Sequence, residues 1–303
     1  MAGEAANSRR RTLALVTLVL QNTALVICMR ISRTADGPIY YSSTAVASME
    51  VLKLMVCLAI VIQERGVGGL MRTVLGKPLE LLRLSVPSLL YTIQNNLLYY
   101  ALSNLDAAIY QVSYQIKILT TALFSVFMLQ RYISNQKWFA LLVLTLGVAM
   151  VQLSDKEKHS AATGEAPVMG FAAVLAASAT SGFSGVYFER VLRRSSETLW
   201  ARNVQMGVTS VTLAILSVYT KDREGVLRDG FFFGYTGIVW AVVFFQALGG
   251  LVVAFVTKYA NTILKCFATA ISIVCISVIS VFLFNTQISL LFAAGAILVM
   301  LSI

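Results

Sequence analysis

Residues 110–121 decide the fold of this chain, and they read Tyr110-Gln111-Val112-Ser113-Tyr114-Gln115-Ile116-Lys117-Ile118-Leu119-Thr120-Thr121. They lie inside an apolar segment, residues 107–129, that is long enough to cross the ~30 Å hydrocarbon core of a bilayer. A charged side chain near the bilayer centre costs at least about 2.5 kcal/mol, so the few that occur there usually serve a function. The segment therefore predicts a membrane-spanning helix in which Lys117 marks a functional site.

Four polar, aromatic or cationic residues of this stretch recur at helical spacing and are predicted to share one helix face: Tyr110, Tyr114, Lys117 and Thr121. A lysine beside two tyrosines offers a phosphate group a charged donor next to stacking surfaces. The alternative interpretation is that the lysine snorkels to the membrane interface and that the tyrosines belong to an aromatic belt.

The composition predicts an all-α membrane protein that crosses the bilayer many times. Of the 303 residues 58% are hydrophobic, and the mean hydropathy is +0.78, which exceeds what a soluble domain of this size needs. The chain has 24 lysines and arginines against 14 acidic residues, a net charge of +10. Because these basic residues lie mainly in loops, the positive-inside rule explains them, and nucleic acid is not expected as a partner.

The sequence contains no set of residues typical of an enzyme, and no metal or cofactor site is expected. The four cysteines, Cys28, Cys57, Cys266 and Cys275, lie in predicted helices without metal-ligand spacing, and the only histidine, His159, lies in a polar loop. There is no nucleophile with a matching base and no P-loop. We therefore expect neither catalysis nor ATP-driven pumping by this chain.

Ten apolar segments are predicted to span the membrane, at approximately residues 12–30, 41–63, 84–102, 107–129, 136–153, 167–188, 199–219, 236–256, 259–283 and 286–303. With the N-terminus in the cytosol, the cytosolic side carries about twice as many lysines and arginines as the other side, as the positive-inside rule requires. Both termini are then cytosolic. Residues 1–11 are polar and basic, so no cleavable signal peptide is expected. The linkers are short, and residues 1–303 are predicted to form a single transmembrane domain.

A weak internal repeat divides the chain into about residues 12–153 and 167–303. Residues 104–134 resemble residues 258–288, because each stretch passes from a polar turn into a helix with a lysine in its first half, Lys117 or Lys265. Five spans per half would give the two halves opposite orientations, the common plan of secondary transporters that bind substrate near the midplane. Chance similarity between apolar helices is the alternative.

Several polar groups inside the predicted spans are candidates for substrate contact. Glu50 and Lys53 are three residues apart and are predicted to form an ion pair, which leaves open whether they serve structure or substrate. The run Gln94-Asn95-Asn96 either lines a wet cavity or bonds between helices. Small residues at Ser181 and Gly185 permit close approach of a helix or a ligand, and the stretch Arg202-Asn203-Val204-Gln205 adds two carboxamides.

Taken together, these stretches resemble the Golgi nucleotide-sugar transporters. The motifs that carry the resemblance are Gln94-Asn95-Asn96, the stretch at residues 102–108, the run at residues 110–117, the stretch at residues 181–189, and Lys258-Tyr259 with Ile263-Leu264-Lys265. The most similar branch contains the UDP-galactose, UDP-N-acetylglucosamine and CMP-sialic acid carriers. The resemblance implies the drug/metabolite-transporter fold, with ten helices in two inverted five-helix repeats. It also implies exchange of a cytosolic nucleotide sugar for a lumenal nucleoside monophosphate across the Golgi membrane.

The resemblance also implies roles for individual residues. Lys117 is expected to hold the nucleotide phosphate, and Lys265 to face the sugar or phosphate. The residues expected to shape the nucleotide pocket, contact ribose or phosphate, or lie near the base are Tyr110, Tyr114, Asn95, Ser181 and Asn203. Gln94, Thr121, Glu50 and Lys53 complete the candidate set. The chain departs from the family pattern at Cys266 and Ala260, where the family usually has glycine and aspartate.

The motifs favour a UDP-sugar as substrate. Gly207 stands where a tyrosine is expected in the CMP-sialic acid branch, and Phe231-Phe232-Phe233-Gly234-Tyr235 is most like the UDP-galactose carriers. We therefore expect UDP-galactose, with UDP-N-acetylglucosamine in addition or instead, exchanged for UMP. A CMP-sialic acid carrier, or another small-metabolite exporter of this fold, is the alternative. The expected partners are these nucleotides and the lipid bilayer. The sequence leaves open whether the chain forms a homo-oligomer.

Overall fold

A computed structural model describes residues 2–34, 37–75, 78–104, 113–154, 167–194, 197–284 and 290–302. Every regular element in these ranges is a helix, which confirms the predicted all-α class. The eleven helices are α1 (Ala2–Thr34), α2 (Ser42–Leu75), α3 (Pro78–Asn104), α4 (Ile116–Leu129), α5 (Asn135–Ser154), α6 (Pro167–Arg194), α7 (Leu199–Lys221), α8 (Arg223–Asp229), α9 (Gly237–Tyr259), α10 (Thr262–Phe284) and α11 (Leu290–Leu301).

Local sequence signals explain several helix ends. Proline begins α3 and α6, where its missing N–H costs nothing because the first turn has no helical partner for it. The Thr198 hydroxyl accepts a hydrogen bond from the Ala201 N–H at 3.3 Å and caps α7. In the same way, the Asn261 side chain accepts from the Leu264 N–H at 2.7 Å at the start of α10.

Four helical stretches of the described chain are long and apolar enough to cross a membrane: Arg11–Met29, Ser42–Arg72, Val168–Arg193 and Gly237–Tyr259. Two shorter apolar stretches, Ile116–Leu129 and Thr262–Ile276, accompany them. These findings agree with a membrane protein of many helices, whereas the count of ten spans and the inverted repeat stay predictions.

The structure corrects three predicted boundaries. The linker expected at residues 64–83 is largely helical, because α2 continues to Leu75 and is interrupted only at Gly66, whose φ of 68° suits glycine. Helix α6 continues past residue 188 to Arg194. A turn at Gln115 separates Tyr114 from α4, so the helix that carries Lys117 begins at Ile116.

A further correction is the short helix α8, which lies in the linker expected at residues 220–235. The Tyr41 hydroxyl donates to the Asp229 carboxylate at 2.7 Å, and Ser43 donates to Asp222. Hydrogen bonds from Arg228 and Tyr41 lower the pKa of Asp229 to about 2, so this carboxylate is charged at neutral pH. These contacts hold α8 against the start of α2.

The chain divides into two compact units, and each takes residues from both predicted repeats. Unit 1 consists of Met1–Leu89 and Val191–Tyr259, and unit 2 of Leu90–Arg190 and Ala260–Ile303. The repeat boundaries and the single-domain organisation stay predictions.

Unit 1 is built on packing between α1 and α9 and between α2 and α7. The α2 and α7 contact buries Cys57, Val61, Ala201 and Val204. The Gln21 amide donates to the Phe245 carbonyl at 2.8 Å and fills the space beside Gly249. A Cβ on Gly249 would lie 2.4 Å from the amide nitrogen of Gln21, so a larger residue there would displace this amide.

Unit 2 is built around α4, α5, α10 and α11, which enclose a cluster of buried residues: Ile118, Ala122, Ile133, Leu141, Leu144, Val148, Ala270 and Val299. Helix α6 packs tightly on α4. The Thr120 hydroxyl donates to the Ser178 carbonyl at 2.8 Å, and a Cβ added to Gly182 would lie 2.8 Å from the Thr121 backbone nitrogen. This close approach places α6 beside the helix that carries Lys117.

Replacing Gly182 with alanine should therefore destabilise the protein. The new methyl group meets α4 backbone that cannot rotate away, and overpacking of this kind costs about 1–3 kcal/mol. Thermal unfolding in detergent should show a lowered midpoint for Gly182→Ala. The matched control is Gly68→Ala in α2, where an added Cβ meets nothing within 4 Å and alanine favours the helix. Equal midpoints for the two variants would contradict the close approach of α6 to α4.

Candidate functional site

A cavity of about 130 Å³ lies within unit 2, several times the ~30 Å³ that one water occupies in the liquid. Residues of α4, α6 and α10 and the turn before α4 supply its polar lining: Gln115, Lys117, Thr121, Ser181, Thr262, Lys265, Cys266 and Thr269. The apolar part of the wall includes Val148 of α5 and Ile273 of α10. Four of the candidate residues from the sequence, Lys117, Thr121, Ser181 and Lys265, thus line one space.

The cavity is cationic. Lys117 and Lys265 both line it, and the described residues of the lining include no carboxylate. The Lys117 ammonium lies 4.1 Å from the centre of the Tyr114 ring, at the distance of a cation–π contact. Such a contact stabilises the ammonium without neutralising it, so the charge stays available to an anion.

The predicted stripe is partly present in the structure. Tyr114 and Lys117 contact each other, and the Gln94 amide donates to the Tyr114 hydroxyl at 2.9 Å. Gln94 therefore fixes the ring that lies under the ammonium. Its own Oε1 is buried and has no hydrogen-bond partner in the described part of the chain. Tyr110 lies outside the described residues.

Thr121 lines the cavity, and its hydroxyl hydrogen is already engaged in a hydrogen bond within α4. Its hydroxyl donates to the Lys117 carbonyl at 2.7 Å, one turn earlier in α4. The oxygen lone pairs of Thr121 remain for a ligand, so this residue is suited to accept a hydrogen bond rather than to donate one.

Helix α6 approaches the cavity through its small residues. Ser181 lines the cavity, and a Cβ on Gly185 would lie 3.0 Å from the Thr262 methyl group and 3.8 Å from the Lys265 ammonium. The predicted close approach at Gly185 is therefore present in the structure, where α6 packs against the first turn of α10. The sequence interpretation gave no role to Gly182, which makes the corresponding approach to α4.

Three further candidates lie in unit 1. Glu50 and Lys53 form the predicted ion pair at 2.5 Å, with 14% and 8% of their side chains exposed. The Lys53 stem packs on Gly250, where a Cβ would lie 3.0 Å from its Cδ. Asn203 is buried and donates to the Leu199 carbonyl at 2.9 Å, and its Oδ1 has no hydrogen-bond partner in the described ranges. Asn95 lies in α3, and its side chain is outside the described parts of the structure.

The structure shows no open space beside Gly207, the position where a tyrosine is expected in the CMP-sialic acid branch. Gly207 is buried, and a Cβ there would lie 3.0 Å from Cδ1 of Leu54 on α2. The glycine thus serves the close packing of α7 on α2, and a larger side chain would displace Leu54.

Glu189 is the polar residue at this site that sequence reasoning missed. Its side chain is fully buried in α6 and bonds both Arg131 and Thr262. The predicted span ended at residue 188, so Glu189 was placed outside the membrane helices. The signal that was present is the spacing of Glu189 one helical turn after Gly185.

Comparison with known proteins gives a consistent result. A family described as "Nucleotide-sugar transporter" matches residues 6–303. The UDP-N-acetylglucosamine transporter of Bos taurus is 47% identical over 299 residues, 95% of this chain and 92% of its own length. The UDP-galactose translocator of Homo sapiens is 47% identical over 302 residues, 97% of this chain and 76% of its own. A solved crystal structure at 17% identity shares the fold with a TM-score of 0.68, over 96% of this chain and 94% of its own.

The charge of the cavity can be measured at Cys266, which lines it. In a variant with Cys28, Cys57 and Cys275 replaced by alanine, Cys266 is the only cysteine. An anionic methanethiosulfonate should modify it about tenfold faster than a cationic one, because two ammonium groups attract the anion. Each rate is normalised to the rate of the same reagent with a free thiol in solution.

Lys265→Ala in this background should reduce the preference for the anionic reagent. The control is Lys137→Ala, which removes an exposed lysine of α5 that does not line the cavity. A preference for the cationic reagent would contradict a cationic cavity.

Proposed function

Because this chain belongs to the nucleotide-sugar transporter family, we propose that it exchanges a cytosolic UDP-sugar for lumenal UMP across the Golgi membrane. UDP-galactose is the proposed substrate, on the resemblance at residues 231–235. UDP-N-acetylglucosamine is the second candidate, because relatives named for either sugar match at 46–48% identity. The family and its relatives are transporters, and the protein is not an enzyme.

One observation supports this function above the others: two lysines line one cavity whose described lining holds no carboxylate. An exporter of cations or amines would need an acidic group at that place. A nucleotide sugar carries its negative charge on phosphate, and ammonium groups in a site shielded from water bind such a charge strongly. The apolar wall and the Tyr114 ring lie beside the charges, which suits a ligand with both a phosphate and a planar base.

We assign the phosphate next to the ribose to Lys117, which is held over Tyr114. We assign the sugar end of the diphosphate to Lys265 on α10. Ser181 and Thr121 are the proposed neutral partners in the same cavity, and Asn203 and Asn95 are proposed to contact the base and the ribose or phosphate. Glu50 and Lys53 neutralise each other, so their proposed role is weaker than that of the two cavity lysines.

The proposed mechanism is alternating access with strict exchange. The chain has no ATP-binding loop, so the energy for reorientation has to come from the bound nucleotide and from the gradients of the exchanged species. Without a bound anion, the described lining of the cavity offers no carboxylate to Lys117 or Lys265, which should disfavour the passage of the empty protein between its two states.

Exchange predicts that preloading controls uptake. Proteoliposomes that contain UMP should take up labelled UDP-galactose at least about tenfold faster than empty ones, because return of the empty carrier is disfavoured. Vesicles preloaded with CMP or GMP are the controls and should fall near the empty rate. Equal uptake by empty and UMP-loaded vesicles would refute the exchange, and faster uptake with CMP would move the assignment to the CMP-sialic acid carriers.

The two lysines should have different effects on ligand binding. Lys117→Ala should abolish thermal stabilisation by UMP while the protein still folds, because an uncompensated charge is removed from an apolar region. Lys117→Arg should also bind poorly, because a planar guanidinium does not replace a compact ammonium. Lys265→Ala should lower stabilisation by UDP-galactose more than stabilisation by UMP.

The measurement is the shift in unfolding temperature with each ligand, for the wild type and the three variants. Lys137→Ala, an exposed lysine of the same unit, is the matched control and should behave as the wild type. Full stabilisation of Lys117→Ala by UMP would reduce this lysine to a snorkelling residue.

A further inference from the structure

The buried carboxylate of Glu189 joins three segments of unit 2. Its Oε2 accepts hydrogen bonds from the Thr262 backbone N–H at 2.8 Å and from the Thr262 hydroxyl at 2.7 Å. Its Oε1 accepts from the Arg131 guanidinium at 2.6 Å. The side chain of Glu189 is 0% exposed and that of Arg131 is 27% exposed. A carboxylate this deeply buried is tolerated only with such partners.

Glu189 acts as a cap on α10. Thr262 is the first residue of that helix, and its N–H has no partner within the helix. The negative charge of Glu189 lies at the positive end of the helix dipole, which favours it. The Asn261 side chain satisfies the Leu264 N–H in the same turn, so the start of α10 is fixed at two points.

The cap lies one turn from Lys265. Thr262 and Lys265 are three residues apart, so they share a helix face, and both line the cavity. Gly185, one turn before Glu189 on α6, packs against the Thr262 methyl group and lies close to the Lys265 ammonium. Glu189 is therefore hydrogen-bonded to the turn of α10 from which Lys265 reaches the cavity.

Arg131 offsets the negative charge of the buried Glu189 carboxylate. Glu189 does not line the cavity, and its charge is offset by the guanidinium at 2.6 Å. The protein thus uses an anionic cap on α10 without placing an uncompensated negative charge near Lys265. A carboxylate without such a partner beside this turn of α10 would compete with a phosphate ligand for the ammonium.

We infer that Glu189 is a positioning residue for Lys265, which it holds at the sugar-diphosphate end of the ligand through the cap on Thr262. This inference rests on the proposed transport of a UDP-sugar. It assigns Glu189 no contact with the ligand. Its loss should therefore produce the ligand profile of a Lys265 variant rather than a general loss of binding.

The experiment measures Kd for UDP-galactose and for UMP by thermal shift and by equilibrium binding to the purified full chain. Glu189→Gln should raise the Kd for UDP-galactose about tenfold, the scale typical of groups that orient a binding residue. The Kd for UMP should rise less. In a Lys265→Ala background, Glu189→Gln should add little, because its effect passes through the lysine. The matched control is Glu197→Gln, which removes the carboxylate of the Arg65–Glu197 ion pair in unit 1.

Three further variants keep the test decisive if Glu189→Gln folds poorly. Thr262→Val removes the hydroxyl donor and keeps the side-chain shape and the backbone N–H, whereas Thr262→Ser keeps the hydroxyl. The valine variant should show the UDP-galactose defect and the serine variant should not.

The double variant Arg131→Glu with Glu189→Arg restores opposite charges but not the cap, because a guanidinium cannot accept a hydrogen bond. Its binding of UDP-galactose should therefore stay defective.

The outcomes separate the inference from the proposed function. A full effect of Glu189→Gln in the Lys265→Ala background, or recovery in the charge-exchange variant, overturns the positioning role while transport by the wild type stands. Equal losses for UMP and UDP-galactose also overturn it. A wild-type protein that binds neither ligand overturns the proposed function, and the inference with it.

Discussion

The structure of unit 2 depends on one electrostatic constraint, the placement of two ammonium groups in largely apolar surroundings. A lysine at the centre of a bilayer costs about 2.5–3.5 kcal/mol on insertion scales, and the described lining of the cavity offers no carboxylate to offset such a cost. The Tyr114 ring, held by Gln94, supplies partial compensation to Lys117. A bound anion would relieve the rest of such a cost, and this is the physical basis of the proposed nucleotide site.

Close helix packing is what allows a cavity of this kind to form. Helix association in a bilayer gains little from the hydrophobic effect and relies on small residues that let backbones approach. Gly182 brings α6 to the backbone of α4, and Gly185 brings the same helix to the first turn of α10. Because α6 contacts the lysine-bearing turns of both helices, the two glycines determine which residues share the cavity. Larger side chains at either glycine would separate α6 from the lysines.

Sequence reasoning identified the parts of the site that depend on local geometry. Tyr114, Lys117 and Thr121 follow helical spacing, and Glu50 and Lys53 follow the i, i+3 rule, so the contacts of Lys117 with Tyr114 and of Lys53 with Glu50 were predictable. The all-α class was also predictable, because the apolar composition indicates a membrane protein built of helices. Glu189 was missed because the apolar pattern stops before it, while the helix continues with its carboxylate satisfied by partners distant in sequence. The packing of Leu54 on Gly207 also depends on tertiary contact, and no local pattern reveals it.

The pairing of carboxylates decides which lysines are open to an anion. Glu50 neutralises Lys53 within one helix, so that lysine is already satisfied in the structure. Glu189 is more deeply buried, with a side chain 0% exposed against 14% for Glu50, and its hydrogen bonds to Arg131 and to the start of α10 take up its charge. An acidic residue can therefore serve the fold close to an anion site when a separate cation and a helix terminus take up its charge. By this argument Lys117 and Lys265 are the residues of the candidate set that are proposed to bind phosphate, and Glu189 is the acidic residue inferred to position Lys265.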